Sequence, residues 1–220
     1  MKSTSKFNWL FIVLLLSGFS KTAVSQTLNE FFNNSEMKLT YLGVDFTKAR
    51  LINDADANSF DIRNKVYPAI NSLIVGDPKK FDIAGAFHKS HVGSDLSAVN
   101  ARNEKINAEE ILSANTEDFY RLKEGDIASL VRGLNLRDKT GIGLVFVMEG
   151  MKKLAKSGEA SVWAVLIDMK TKKVLMSERF ENKAGGIGDR NYWASTIKKT
   201  LEDIEKKRYK EWKAKYGTSS

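Results

Sequence analysis

The chain contains no cysteine, only two prolines and only two histidines in 220 residues. Without cysteine there is no disulfide framework and no lipid on a cysteine behind a leader peptide. An exported chain of this kind must be held by its core alone, which suits a bacterial envelope or periplasmic home. The two histidines, His88 and His91, share a helical face with Asp95 nearby, but a divalent metal needs three or four ligands and no second cluster supplies them. They read as solvated loop residues, and no metal site is expected. The long apolar runs of a membrane protein are also missing. Trp9 to Leu16 is an unbroken apolar run but far short of the ~20 residues a span requires, and no later run is long enough.

That run sits behind Lys2 and Lys6 and ahead of Ala23-Val24-Ser25, the pattern of a secretory signal peptide over residues 1–25. An uncleaved anchor is the alternative. Cleavage near Ser25 would make the protein periplasmic or extracellular. It removes three lysines (Lys2, Lys6 and Lys21), lowering the formal charge from +8 to +5. The mature chain is mildly basic, without the basic stripe of a nucleic-acid binder, so no nucleic-acid partner is expected. Its length fits one domain with a proper core. The spans read as a loose, Asn-rich lead-in over 26–38, a single domain over 39–216 and a disordered tail at 217–220.

The clearest pattern lies between Gly141 and Tyr216. Ile142, Leu144, Phe146 and Met148 alternate with Gly143, Val145, Val147 and Glu149, the period of a strand apolar on both faces. A second strand runs from Ala160 to Asp168. A tight turn begun by Asp168 leads into a more polar third strand, Val174 to Phe180, placed near an edge. A glycine corner, Ala184 to Asp189, then opens a helix carrying Trp193, Ile197, Leu201 and Ile204 at amphipathic spacing. Upstream, 39–46 reads as a strand and 59–75 as a helix kinked at Pro68. Leu96–Ala101 reads as a strand. Short helices are expected at 82–87, from Asn107 and from Asp126 to Gly133. The fold class expected is α+β: a mostly antiparallel sheet, ending in a strand-strand-strand-helix unit, with helices packed on it.

Gly141-Ile142-Gly143, the strand with Glu149, the hairpin from Asp168 to Leu175 and Gly186-Ile187-Gly188 before Arg190-Asn191-Tyr192-Trp193-Ala194 resemble a group of uncharacterised exported proteins of Gram-negative bacteria. The resemblance covers about residues 39 to 205 and implies no assigned activity. At the level of fold the order of elements is similar to small envelope accessory domains, such as the N-terminal domain of the Tol–Pal translocation protein. Fold alone does not carry function.

Candidate chemistry is sparse. Asp54-Ala-Asp56-Ala-Asn58 starts like a calcium loop, but Ser59 and Lys65 stand where the turn glycine and bidentate glutamate belong. The glycine corner follows a strand and opens a helix, so Gly186, Gly188, Arg190 and Asn191 could hold an anion at the helix start. It lacks the third glycine of a dinucleotide loop and the Gly-Lys-Ser/Thr of a nucleotide loop, so no cofactor is expected. A purely conformational role fits the glycines as well. Asp45 and Glu149, with Asp168 and Glu178, are carboxylates on or beside strands; a pair within reach could do acid–base work. The lysine-rich helix end at 206–215 gives a weak peripheral contact with an anionic membrane, or simply a solvated terminus. The leading expectation is a non-enzymatic interaction module with an unknown envelope protein as partner. An anion- or small-ligand-binding protein using corner 185–190 is the alternative, and a hydrolase of unrecognised type comes third.

Overall fold

The computed structural model describes residues 27–154 and 157–218. The leader expected over 1–25 lies outside them. Seven strands form one sheet: β1 (Leu39–Asp45), β2 (Arg50–Ile52), β3 (Val92–Ser94), β4 (Leu112–Ser113), β5 (Ile142–Leu154), β6 (Ser157–Asp168) and β7 (Lys173–Ala184). Five of them, in the order β3-β1-β5-β2-β4, run parallel. On its other side β5 pairs antiparallel with β6, and β6 with β7. The fold is therefore α/β, and the mostly antiparallel α+β arrangement expected from the sequence is wrong. The reason is topological. Parallel neighbours require crossover connections, which the helical stretches after β2, β3 and β4 supply.

β5 organises the sheet because its 13 residues span two neighbours in succession. Leu39 to Asp45 of β1 lie against Ile142 to Val147, and Arg50 to Ile52 of β2 against Gly150 to Lys152. Both its faces are covered. One carries Phe146, Met148, Leu166 and Phe180 under Ile70, Ile74, Trp193, Ile197 and Leu201 of the two long helices. The other carries Val145, Val147, Trp163 and Val165 under Val99, Ile127, Leu130 and Val131.

Beyond Tyr41 the outer side of β1 has no strand partner among the described residues. Two asparagine amides from the flanking helices do that work instead. Asn71 accepts from the Val44 N–H at 2.7 Å and donates to the Val44 carbonyl at 3.1 Å. Asn103 accepts from the Phe46 N–H at 2.9 Å and donates to the same carbonyl at 2.9 Å. An amide side chain offers the donor and acceptor of a peptide group, so buried backbone polar groups stay satisfied.

Several local expectations need correction. Residues 27–33 are a helix, not a loose lead-in. Leu28, Phe31 and Phe32 are buried, and Phe32 packs its ring against Tyr209, Trp212 and Tyr216. The Lys89 ammonium donates to the carbonyls of Phe31 and Asn34 at the end of this helix, where a cation complements the negative end of the helix dipole. Asn33 also reaches the Gly217 carbonyl, in the segment read as a tail. Leu96–Ala101 is not a strand; Ser97–Asn103 is a helix. Ahead of Pro68 the helix widens into a π turn, Ile62–Val66, with the proline in the first turn of Tyr67–Gly76, a position that tolerates a missing N–H.

Candidate functional site

Asp45 ends β1, and Glu149 is the extra residue of a β-bulge where β5 meets β6 between Met148 and Gly150. Bulges re-aim side chains. Both carboxylates lie on the Trp163 side of the sheet and both are buried. Asp45 Oδ1 accepts from the Thr47 N–H at 2.9 Å and from its hydroxyl at 2.5 Å, and Oδ2 accepts from Arg102 Nη1 at 3.0 Å. Glu149 Oε2 accepts from Ser161 Oγ and Trp163 Nε1, each at 3.0 Å, and lies 2.9 Å from Arg179 Nε. Its Oε1 accepts from the Leu122 N–H. An acid–base catalyst must meet a proton of its substrate. These two groups face protein donors instead, so their geometry supports anchoring.

The other carboxylates singled out are likewise occupied. Asp168 accepts from the N–H groups of Lys170 and Thr171 and shapes the hairpin turn. Glu178 accepts from Trp212 Nε1 and pairs with Arg208 at 3.2 Å. Asp54 pairs with Lys153 at 2.9 Å, and Asn58 caps the following helix. His88 stacks on Tyr209 at 4.1 Å, and His91 meets Glu36 at 3.4 Å. Among the described residues no group of three or more His, Cys, Asp or Glu could hold a metal ion.

Just past the carboxyl end of β1 a cleft of about 430 Å³ opens between Lys48, Arg102, Arg121, Leu122, Asp126, Ser129 and Leu130. Arg102 is braced by Asp45 and by the Leu130 carbonyl at 2.8 Å. Arg121 donates to the Lys48 carbonyl, and its Nε is buried without a hydrogen bond, 3.9 Å from Asp118. Burial, reinforced by the charge of Arg50, holds the Arg121 pKa below the ordinary arginine value. None of these basic residues was singled out in the sequence. They come from a loop, a helix and a second loop, and only the fold unites them.

The glycine corner is more open. Gly186 and Gly188 have φ of 120° and 76°, which glycine alone accommodates readily. Ile187, Gly188, Asp189 and Arg190 are exposed. The Asn191 amide turns back to the Ile187 carbonyl at 3.1 Å and receives Arg190 Nη2 on its Oδ1 at 3.3 Å. Asp189 places a negative charge in the first turn, where an anion would have to sit. At the basic helix end, Tyr209 and Trp212 point into the core while Lys206, Lys207, Lys210, Lys213 and Lys215 are exposed. That face offers charge without an apolar side to insert. Among the described residues no helix is long and apolar enough to cross a membrane.

Asp95 gives a pH-dependent contribution nearby. Hydrogen bonds from Lys139 and then Ser97 lower its pKa from 3.8 to about 2. A depressed carboxylate pKa stabilises the fold above the unfolded value, and that stability is lost as pH falls through the folded value. The pair is partly exposed, so solvent screening limits it to about 0.5–1 kcal/mol. Asp95→Asn should lower stability by that amount at pH 7. The gap to the parent should close between about pH 4 and pH 2, the interval the shift defines. Urea titrations giving a constant gap across that interval would contradict the assignment.

No protein-family model and no curated protein matches the chain. Among solved structures, the lipoprotein GNA1162 from Neisseria meningitidis aligns over 76% of this chain and 96% of its own, at 11% identity and a TM-score of 0.31. A likeness that slight carries no argument about fold or function. The expected similarity to the Tol–Pal translocation protein is not shown.

Proposed function

We propose that the chain is an exported, non-enzymatic binding module, periplasmic or extracellular once its leader is removed near Ser25. The observation that supports this is the state of its two best-placed carboxylates. Asp45 and Glu149 are each saturated by an arginine and by backbone or side-chain donors. Neither is left to move a proton on a substrate. The exposed corner at Gly186, Gly188, Arg190 and Asn191 is the alternative binding surface, but Asp189 opposes an anion there. The lysine face at 206–215 supports at most a salt-sensitive contact with an anionic membrane.

The test is capture from envelope extract with tagged protein beginning at Gln26, alongside assays against ester, phosphoester and peptide substrates. One stoichiometric envelope protein, retained at 0.15 M salt where surface charge is screened beyond about 8 Å, with no turnover, is the expected result. Turnover that survives repurification and is abolished by Glu149→Gln in a folded protein would replace this reading with the hydrolase.

A further inference from the structure

We propose that the cleft beside β1 is a binding site for a small oxyanion, a carboxylate or a phosphate monoester, held by Lys48, Arg102 and Arg121. This deepens the reading of the chain as a binding module and rests on it. The first argument is an inventory of donors. Among the described residues Lys48 Nζ and Arg121 Nη1 make no hydrogen bond or ion pair, and Arg102 Nη2 makes no hydrogen bond. Arg121 Nε is buried and also lacks one. Buried nitrogen donors are seldom left unpaired, and guanidinium groups match the oxygens of carboxylates and phosphates.

The second argument is bracing. Arg102 is fixed by Asp45 and the Leu130 carbonyl, and Arg121 by the Lys48 carbonyl. Guanidinium groups fixed in advance lose less freedom when an anion arrives. The carboxylates around them are only partly turned to the arginines: Asp45 bonds Arg102 through Oδ2 and Thr47 through Oδ1, Asp118 lies 3.9 Å from Arg121 Nε through Oδ1 and accepts from Ser113 Oγ at 2.6 Å through Oδ2, and Asp126 Oδ2 accepts from the Lys123 N–H at 2.9 Å. They balance part of the charge, which favours a small oxyanion over a polyanion. The third argument is position. Lys48 sits in the loop that leaves β1 at its carboxyl end, and in open α/β sheets ligands gather outside the carboxyl ends of parallel strands. A cleft of about 430 Å³ accommodates a ligand of this size.

Thermal unfolding of the tagged protein beginning at Gln26 tests this, with sodium phosphate, glycerol phosphate and sodium succinate each titrated against sodium chloride at equal ionic strength. A saturable rise of about 3 °C or more in Tm is expected for at least one oxyanion. It should be lost in Lys48→Gln, which changes an exposed side chain and spares the fold. Arg121→Gln, where folded, should lose it too, and Arg190→Ala should keep it. Which oxyanion saturates separates a carboxylate ligand from a phosphate one. No rise beyond chloride, or a rise that persists in Lys48→Gln, overturns the site. A rise lost in Arg190→Ala moves the ligand to the glycine corner. If no oxyanion binds while an envelope partner is captured, this site fails and the binding-module reading stands.

Discussion

Replacing Glu149 by alanine should cost about 3–5 kcal/mol, the penalty for removing a buried carboxylate on which an arginine and three further donors converge. The side chain is fully buried, and four neighbours converge on it. Alanine would orphan the Leu122 N–H, Ser161 Oγ and Trp163 Nε1, and would leave the Arg179 charge, which is packed 4.7 Å from the Trp163 ring centroid, without its counter-ion. Each orphaned buried donor alone costs about 1–3 kcal/mol. Glutamine is the sharper probe, because it keeps the shape and one acceptor but loses the charge. It should cost less than alanine and still more than about 1 kcal/mol, since its amide hydrogens would face donors. For a chain of this size the alanine variant should melt about 6–20 °C below the parent. A loss under about 1 kcal/mol in alanine would show that the carboxylate is not buried among these donors. It would also return Glu149 to the list of groups free for chemistry.

The sequence marked Glu149 without revealing its role. An acidic residue in an otherwise apolar strand stands out by pattern, and the same holds for Asp45 at the end of β1. Their arginine partners lie on other elements, and nothing local to Arg102 or Arg179 announces the pairing. The three C-terminal strands were readable because each is long enough to display its alternation. In the parallel half β1 was readable too, as the strand expected over 39–46, but β2, β3 and β4 were not, being three, three and two residues long. A period of two cannot be read from so few positions, and strand direction depends on crossovers rather than on the strands themselves. Leu96–Ala101 is apolar at Leu96, Ala98, Val99 and Ala101, a spacing that does not separate a strand from a helix. The deciding residue is Asp95, whose side chain accepts from the Ser97 N–H at 3.1 Å and starts a helix there. In the lead-in, Leu28, Phe31 and Phe32 already have helical spacing. Their asparagine neighbours obscured it, and the C-terminal helix they pack on lies at the far end of the chain.

Trp193→Ala, Gly188→Val and Arg190→Ala should rank in that order of damage, and the ranking tests what the glycine corner is for. Trp193 lies in the first turns of the final helix, is among the largest fully buried side chains, and packs edge-on to Tyr192 at 5.1 Å between centroids. Truncating such a residue removes apolar contact and leaves a cavity, typically costing about 3–5 kcal/mol. Gly188 is different in kind. A Cβ there would meet no neighbour within 4 Å, so the cost is conformational. Its φ of 76° and ψ of 146° lie close to a region populated almost solely by glycine, and forcing a β-branched residue into it costs about 1–3 kcal/mol. Arg190 is exposed and among the described residues bonds only to its neighbour Asn191, so alanine should change stability by less than about 0.5 kcal/mol. Urea denaturation of the three variants, followed by tryptophan fluorescence and checked by circular dichroism for Trp193→Ala, gives the order. If Arg190→Ala proved as damaging as Gly188→Val, the corner would be held by charge as well as by shape. If the expected order holds, the glycines serve to turn the chain sharply enough for Trp193 to reach the sheet. Ile187 and Arg190 are then exposed because the turn needs no contact from them.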